Sequence, residues 1–308
     1  MTTDFSTGNS SITRSHRILL LAAAIMVYLL VTMGGIVCAT RSTLGCPDWP
    51  GCFGQFIPPP QSNALIEYTH RFIAALTTPL IIVVAVVGWR RTPTIGWVSR
   101  PPVIAIALTC AVIVFGAFAV LTGLPPALAA VDLGSALIVL ALMVTATVVA
   151  FARRNDSALV SPALLRGSFV KLTLWAAGGV FFVLVSGVLV AKSGSLVRCL
   201  GWPLYNELPI LSDLRGWLLL GRYLIAGGSV ILIAGIVIQA WRTQRWQSGI
   251  RQAASLVGVL LLLEAAIGIF MLTHGFAPLL LVAYVAVAAA LWAMLVVLVV
   301  IAGLRASR

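Results

Sequence analysis

A carboxylic acid and a histidine lie three residues apart in this sequence, at Glu67 and His70, near the start of a long apolar run. Residues at this spacing share one face of a helix. A neutral imidazole can bind iron, and a carboxylate one turn away can relay a proton or stabilise developing positive charge. The pair could equally be polar interface residues satisfied by loop backbone, because a single histidine in an apolar run is weak evidence of function.

Two cysteines precede this pair in the stretch Cys46-Pro-Asp-Trp-Pro-Gly-Cys52. If this segment lies outside the cell, it is in an oxidising compartment, and a Cys46–Cys52 disulfide is expected. Such a disulfide would be either a structural staple of a proline-rich loop or a redox-active pair. Cys38 and Cys110 are interpreted as buried, small apolar side chains.

Other ionisable residues fall within or beside apolar runs, where they are costly and usually functional. Asp132 lies near the start of the fourth run, at its predicted outer end, and Glu264 lies in the middle of the seventh. Glu264 is either a protonated, hydrogen-bonded residue or an element of a proton relay. Arg71 and Arg222 occupy matching positions in two runs, where they could bind anionic groups or extend to the membrane surface.

The composition identifies the elements that must position these residues. The 308 residues are 61% hydrophobic and only 9% charged, whereas about a quarter of the residues of a soluble domain are charged. The net charge of +12 comes from short basic segments between apolar runs, which argues against nucleic-acid binding. Eight apolar runs are long enough to cross a bilayer as helices, at 17–38, 66–88, 102–122, 127–151, 168–191, 216–241, 252–273 and 277–303.

The distribution of lysine and arginine predicts the orientation of these helices. Fourteen basic residues lie on the side of the N-terminus and six on the other side, so both termini are predicted to be cytoplasmic. The two long segments 39–65 and 192–215 are then outside, and the protein is a multi-pass protein of the plasma membrane.

The chain also repeats itself. Residues 46–50 and 199–203 share Cys, Trp and Pro at matching positions, and each half contains four apolar runs. This predicts an all-α membrane protein of two pseudo-symmetric four-helix bundles, whose cores could each hold a cofactor. The predicted regions are a cytoplasmic tail at 1–15, a bundle at 16–152, a cytoplasmic linker at 153–167 and a second bundle at 168–308.

The cysteine motif, together with Gly54-Gln55 and Glu67-Tyr-Thr-His-Arg71, resembles the heme A synthase family over nearly the whole chain. Members oxidise a methyl group of heme O to the formyl group of heme A for cytochrome oxidases. The resemblance implies catalytic roles for Glu67 and His70, heme iron binding by His70, and a disulfide between the loop cysteines. Arg71 and Arg222 would bind heme propionates.

The family pattern has four histidines, one in each of helices 2, 4, 6 and 8, and the second pair holds a heme b. Here only His70 matches, because the other three positions are occupied by Asp132, Gly221 and Tyr284. Glycine cannot bind iron, whereas tyrosine is a known but less common axial ligand. Asp132 and Tyr284 are therefore the candidate heme-binding residues at these positions, and the ligands of a heme b are not evident.

The resulting prediction is a heme A synthase-like membrane oxidoreductase that uses heme O as substrate. The alternative is a non-catalytic paralogue that binds heme, assists oxidase assembly or serves as a subunit of a larger complex. The resemblance implies that its partners are the lipid bilayer, heme O, heme O synthase and oxidase assembly components. Homo-oligomerisation stays open.

Overall fold

The computed structural model describes residues 12–123, 125–155, 161–164, 166–190 and 211–306. This part of the chain contains eight helices that are long and apolar enough to cross a membrane, which confirms the predicted all-α membrane class. They are α1 (Arg14–Ala39), α2 (Ser62–Arg91), α3 (Gly96–Leu121), α4 (Pro126–Asn155), α5 (Ser168–Val190), α6 (Leu214–Thr243), α7 (Ser248–His274) and α8 (Pro278–Ala306).

Several helices extend beyond the apolar runs that predicted them. Hydropathy marks only the apolar part of a helix, whereas polar end turns are stabilised by caps and by the helix dipole. Thr13 caps α1 by accepting a hydrogen bond from the backbone N–H of His16, and Asp213 caps α6 in the same way from Gly216. At the other end of α2, Arg90 and Arg91 form a basic last turn.

The outer surface of the helices is strongly apolar. Large side chains such as Leu224, Ile231 and Leu262 are each about 70% exposed, at 68%, 73% and 71%. An apolar surface on this scale is not compatible with water but is expected on helices that face lipid. The chain is therefore a multi-pass membrane protein.

The helices pack in two groups. In the first group α1 packs on α2, α2 on α3, α3 on α4 and α4 back on α1, and α5 to α8 make the equivalent set of contacts. The two groups meet where α8 packs against α1 and α4, and where α4 packs against α5. The pseudo-symmetry of the groups and the domain boundaries stay predictions from the sequence.

Three side chains tie the central helices together by donating to backbone carbonyls. Thr147 of α4 donates to Leu20 of α1 at 3.1 Å, and Tyr28 of α1 donates to Ala286 of α8 at 3.0 Å. Trp292 of α8 donates to Leu137 of α4 at 3.0 Å. Small numbers of such bonds stabilise helix association in lipid, where the hydrophobic effect does not hold helices to each other.

Consecutive spanning helices run in alternating directions, so the ends of the helices form two layers. We call the layer that carries the segment 40–61 the loop end. The opposite layer, which carries the turn at 244–247 between α6 and α7, is called the turn end. These names describe the molecule itself and imply no orientation in the cell.

Trp292 provides a test of the central packing, because it is 7% exposed and its ring also contacts Phe181 of α5, with centroids 5.6 Å apart. We expect Trp292→Ala to lower the free energy of unfolding by about 3–5 kcal/mol. Trp292→Phe, which loses the hydrogen bond and part of the ring volume but keeps an aromatic ring, should cost less, about 1–3 kcal/mol. Unfolding in detergent, followed by circular dichroism, would measure both changes. An equal loss from Trp175→Phe, at a side chain that is 73% exposed, would contradict this role.

Candidate functional site

The predicted site residues lie at a similar depth below the loop end. His70 is eight residues from the start of α2, and Asp132 is six residues from the start of α4. Arg222 and Tyr284 are eight and six residues from the starts of α6 and α8. At 1.5 Å per residue, all four lie about 9–12 Å below the loop end. Each group of helices therefore has a pair of predicted site residues at this depth. We call His70 and Asp132 the first layer, and Arg222 and Tyr284 the second layer.

The loop above the first layer is a closed ring. Cys46 and Cys52 form a disulfide, and both residues are completely buried. The backbone groups of Cys52 and Gln55 exchange two hydrogen bonds, of 3.0 and 3.2 Å. The Asp48 carboxylate accepts hydrogen bonds of 2.6 Å from the backbone N–H groups of Phe53 and Gly54, where the backbone has positive φ angles. These bonds fix the shape of the loop.

Arg71 and Glu67 attach this loop to α2. The Arg71 guanidinium donates to the carbonyl oxygens of Cys46, Asp48 and Gly51, and it also pairs with Glu67 Oε1. Glu67 Oε2 accepts the backbone N–H of Cys46 at 2.8 Å. Glu67 is 4% exposed and uses both oxygens, so its carboxylate is held in one position. The arginine fork suits this task because it presents several donors in a fixed plane.

His70 lies one turn below this attachment and contacts α1. A Cβ atom added at Gly34 would lie 3.2 Å from His70 Cε1, so the imidazole packs directly against the α1 backbone. Among the described residues, the buried His70 Nδ1 has no hydrogen-bond partner. An imidazole nitrogen without a protein partner is available to a ligand, and Gly34 provides the space that this ring position requires.

The fourth helix contributes Asp132 at the same depth. Its Oδ1 atom is buried and has no hydrogen-bond partner in the described part of the chain. In the neighbouring part of α3, none of the side chains described between 110 and 121 is buried, although α3 packs on α4. The structure describes no contact between Asp132 and His70. The first layer thus contains two buried polar atoms that have no partner among the described residues, next to a half-exposed stretch of α3.

These features fit one histidine-bound heme in the first group of helices. A heme iron needs one or two axial ligands, so a single accessible imidazole suffices to hold it. Within the described ranges, no cluster of three or more His, Cys, Asp or Glu residues could hold a metal ion. A heme propionate would have to compete with the loop carbonyls and Glu67 for Arg71. Binding of heme by Arg71 and Asp132 stays a prediction.

The second group of helices does not fit a heme held by two histidines. The three histidines of the chain are His16, His70 and His274, and none of them lies at this depth in α5 to α8. Gly221 has no side chain, and the adjacent Arg222 is 2% exposed. Arg222 Nε and a terminal nitrogen donate to the Val183 carbonyl of α5 at 3.4 and 3.2 Å.

Tyr284 belongs to the same cluster as Arg222. It is 4% exposed and is close enough to interact electrostatically with the guanidinium. A tyrosine beside a buried arginine is poorly placed for an iron ligand, because the arginine competes for its oxygen. We therefore derive no step through a heme b, and heme binding by Arg222 and Tyr284 stays a prediction.

Two interpretations of single cysteines were wrong. Cys38 is disulfide-bonded, and its partner lies outside the described residues. Cys110 is a free cysteine and is exposed rather than buried. The sequence gives no signal for the Cys38 bond, because no other cysteine lies at a motif spacing from it.

Glu264 is 2% exposed, and neither of its carboxylate oxygens has a hydrogen-bond partner in the described part of the chain.

The role of Arg71 can be tested by its effect on the loop. Arg71→Met removes the guanidinium donors to the carbonyls of Cys46, Asp48 and Gly51, so hydrogen–deuterium exchange of residues 46–55 should accelerate by about tenfold or more. Arg71→Lys should give only partial rescue, because an ammonium group cannot reproduce the fork. Arg90→Met, at the other end of α2, is the control. Equal exchange in Arg71→Met and in the control would exclude the attachment.

The Asp48 carboxylate provides a pH test. Hydrogen bonds from Gly54 and then Phe53, together with the charge of Arg71, hold the pKa of Asp48 below its ordinary value despite some desolvation. Ionised Asp48 therefore stabilises the folded loop above the ordinary pKa of about 3.9, and this stabilisation is lost as the pH falls through the lowered value.

We expect a phosphine reductant to open the Cys46–Cys52 disulfide faster in Asp48→Asn than in the wild type at pH 7. The two rates should converge only as the pH falls through the lowered pKa of Asp48 in the folded loop, because the wild-type carboxylate then also becomes neutral. Asp213→Asn, at the cap of α6, should leave the rate unchanged. A rate difference that persists at low pH would rule out this charge effect.

Comparison with known proteins identifies the family of the chain. The cytochrome oxidase assembly protein family, COX15-CtaA, matches residues 17–296. Similar proteins are the heme A synthase of Alkalihalophilus pseudofirmus, 28% identical over 73% of this chain and 75% of its own length, and that of Halalkalibacterium halodurans, 28% identical over 76% and 78%. The heme A synthase of Lysinibacillus sphaericus is 29% identical over 73% of this chain and 75% of its own length. The chain thus belongs to the cytochrome oxidase assembly protein family.

Proposed function

We propose that this protein is a heme A synthase-type oxidoreductase that converts the methyl group of heme O to the formyl group of heme A. The observation that carries the proposal is the His70 imidazole, which packs on Gly34 and whose Nδ1 has no partner among the described residues, one helical turn from the fixed Glu67 carboxylate. The proposal is supported by relatives named heme A synthase, which this chain matches over about three-quarters of their length. Heme A biosynthesis is the role of the chain under this proposal.

The reaction replaces two hydrogens of a methyl group by one oxygen. With water as the oxygen source, each conversion releases four protons and four electrons, so an external oxidant such as dioxygen is required. Amino-acid side chains cannot perform this oxidation, and the iron of a bound heme supplies the redox chemistry. The side chains of this protein hold the substrate, orient it and handle protons.

His70 would hold the iron of the bound substrate. The absence of a side chain at Gly34 lets the His70 ring lie against α1. This contact restricts the rotation of the ring and would thereby orient the substrate. Asp132, at the same depth on α4, would offer a second polar group to the substrate.

Glu67 is placed to stabilise charge. Its carboxylate is buried beside α2 and is fixed by Arg71 and by the backbone N–H of Cys46. A preorganised carboxylate can stabilise positive charge that develops during oxidation without reorganisation at that moment. It can also accept a proton and pass it to the loop surface. The disulfide ring matters to the reaction because it presents the Cys46 N–H.

The proposal places the protein in the plasma membrane with both termini in the cytoplasm. Heme O synthase would supply the substrate, and cytochrome oxidase assembly components would receive the product. These partners follow from the chemistry, because heme O and heme A are poorly soluble and a handover within the membrane avoids water.

Heme extraction from the purified protein, made together with a heme O synthase, tests the proposal. Wild type should contain heme O and heme A, which chromatography separates. His70→Ala should lose bound heme while remaining folded, and Gly34→Val should lower the heme content because its side chain displaces the imidazole. His274→Ala, at an exposed histidine in the chain, is the matched control.

Glu67→Gln separates binding from conversion. It should retain heme O but form at least about tenfold less heme A, since one well-placed catalytic group contributes about a hundredfold or more. Equal heme content in His70→Ala and wild type would exclude His70 as the ligand. Bound heme O that is never converted in the wild type, with an electron donor and dioxygen present, would identify a non-catalytic heme-binding protein instead.

A further inference from the structure

A cavity of about 440 Å³ lies at the turn end, opposite the candidate heme site, between the end of α6 and the start of α7. It has no part in the proposed reaction. Its lining is amphipathic and consists of Trp241, Ser248, Arg251, Gln252 and Ser255. A cavity with an arginine, an indole and hydroxyl groups at the edge of a membrane helix pair resembles the setting in which lipid headgroups bind.

The walls of this cavity are preformed. Trp241 Nε1 donates to Ser255 Oγ at 3.1 Å, which fixes the indole ring of α6 against α7. The Arg251 guanidinium lies over this ring, with Cζ 5.2 Å from the centroid. The cation–π contact holds the positive charge in place without neutralising it. A ligand would therefore meet an ordered cationic group.

Arg251 also lacks a hydrogen-bond acceptor. Its Nε atom is buried and has no partner among the described residues. No Asp or Glu occurs in the sequence of α6 and of the first part of α7, from Leu214 to Leu263, so these two helix segments bring no carboxylate to Arg251. Arg242 and Arg245 are exposed close by in the same turn. The position calls for an anion with oxygen acceptors, and phosphate matches the donors of arginine.

The surroundings favour a lipid over a free anion. Trp246 is 99% exposed and Trp241 is 54% exposed, as expected for aromatic residues at a membrane–water boundary. Towards the centre of the membrane, the same two helices expose Ile238, Leu256 and Val259. An anion bound at Arg251 therefore lies directly above an apolar surface that acyl chains can cover.

We infer that this cavity binds the phosphate headgroup of an anionic phospholipid. Arg251 donates to the phosphate oxygens, Ser248 and Gln252 offer further polar contacts, and the start of α7 adds the positive end of a helix dipole. The acyl chains run along the exposed apolar side chains of α6 and α7. The bound lipid would tie the α6–α7 turn to the surface of the bilayer.

Native mass spectrometry of the full-length protein in detergent, with phosphatidylglycerol or phosphatidylcholine added, tests the inference. Wild type should retain phosphatidylglycerol and show little retention of phosphatidylcholine. Arg251→Gln should reduce phosphatidylglycerol binding by about tenfold or more, the effect of one charge-assisted hydrogen bond. Arg154→Gln removes the same charge from an exposed arginine at the end of α4 and should change binding much less.

Trp241→Leu keeps the apolar wall but removes the ring under Arg251, so it should weaken retention even though the net charge is unchanged. Equal retention by Arg251→Gln and Arg154→Gln would overturn the inference, since only general surface charge would then attract the lipid. Inorganic phosphate that binds as tightly as phosphatidylglycerol would also overturn it, because the acyl chains would contribute nothing. A normal melting temperature for each variant excludes misfolding.

Discussion

A bilayer offers no water to the backbone, and this constraint determines how polar groups are used throughout the protein. Helices satisfy the hydrogen bonds of their own backbone. A polar side chain within them must therefore hydrogen-bond to a carbonyl oxygen or another group of the protein, or remain without a partner. Thr147, Tyr28 and Trp292 take carbonyls of neighbouring helices and thereby join α1, α4 and α8. Buried polar atoms that find no partner in the described part of the chain, including those of His70 and Glu264, are the natural places to expect ligands or protons.

Two arginines at matching positions of the sequence repeat make different contacts. Arg71 extends to the loop end, where it holds the disulfide ring and Glu67, and this leaves the His70 imidazole to the helix interior. Arg222 turns inward to the Val183 carbonyl and Tyr284, beside a glycine where the family pattern has a histidine. The first group of helices therefore has the His70 imidazole available to a ligand, whereas the buried Arg222 guanidinium occupies the equivalent depth of the second group.

Long apolar runs made the eight helices predictable, because the length of a membrane span leaves few alternatives. The neighbours Glu67 and His70 were also predictable, since helical spacing alone puts them on one face. The arrangement of Arg71 was not, because its four partners combine a side chain of α2 with carbonyls of an irregular loop. The sequence equally could not reveal that Gly34 lies under the imidazole, since that contact depends on how α1 packs against α2.

The position of α8 has a consequence for biogenesis. It is synthesised after α1 to α7, yet it packs against α1, α4, α5 and α7, and the Tyr28–Ala286 hydrogen bond spans 258 residues. Contacts so distant in sequence form late and slowly. The faces of α1 and α4 that contact α8 must therefore stay exposed to lipid, or to an insertion chaperone, until α8 has been made. A chain without α8 would leave both groups of helices without a helix that both of them contact.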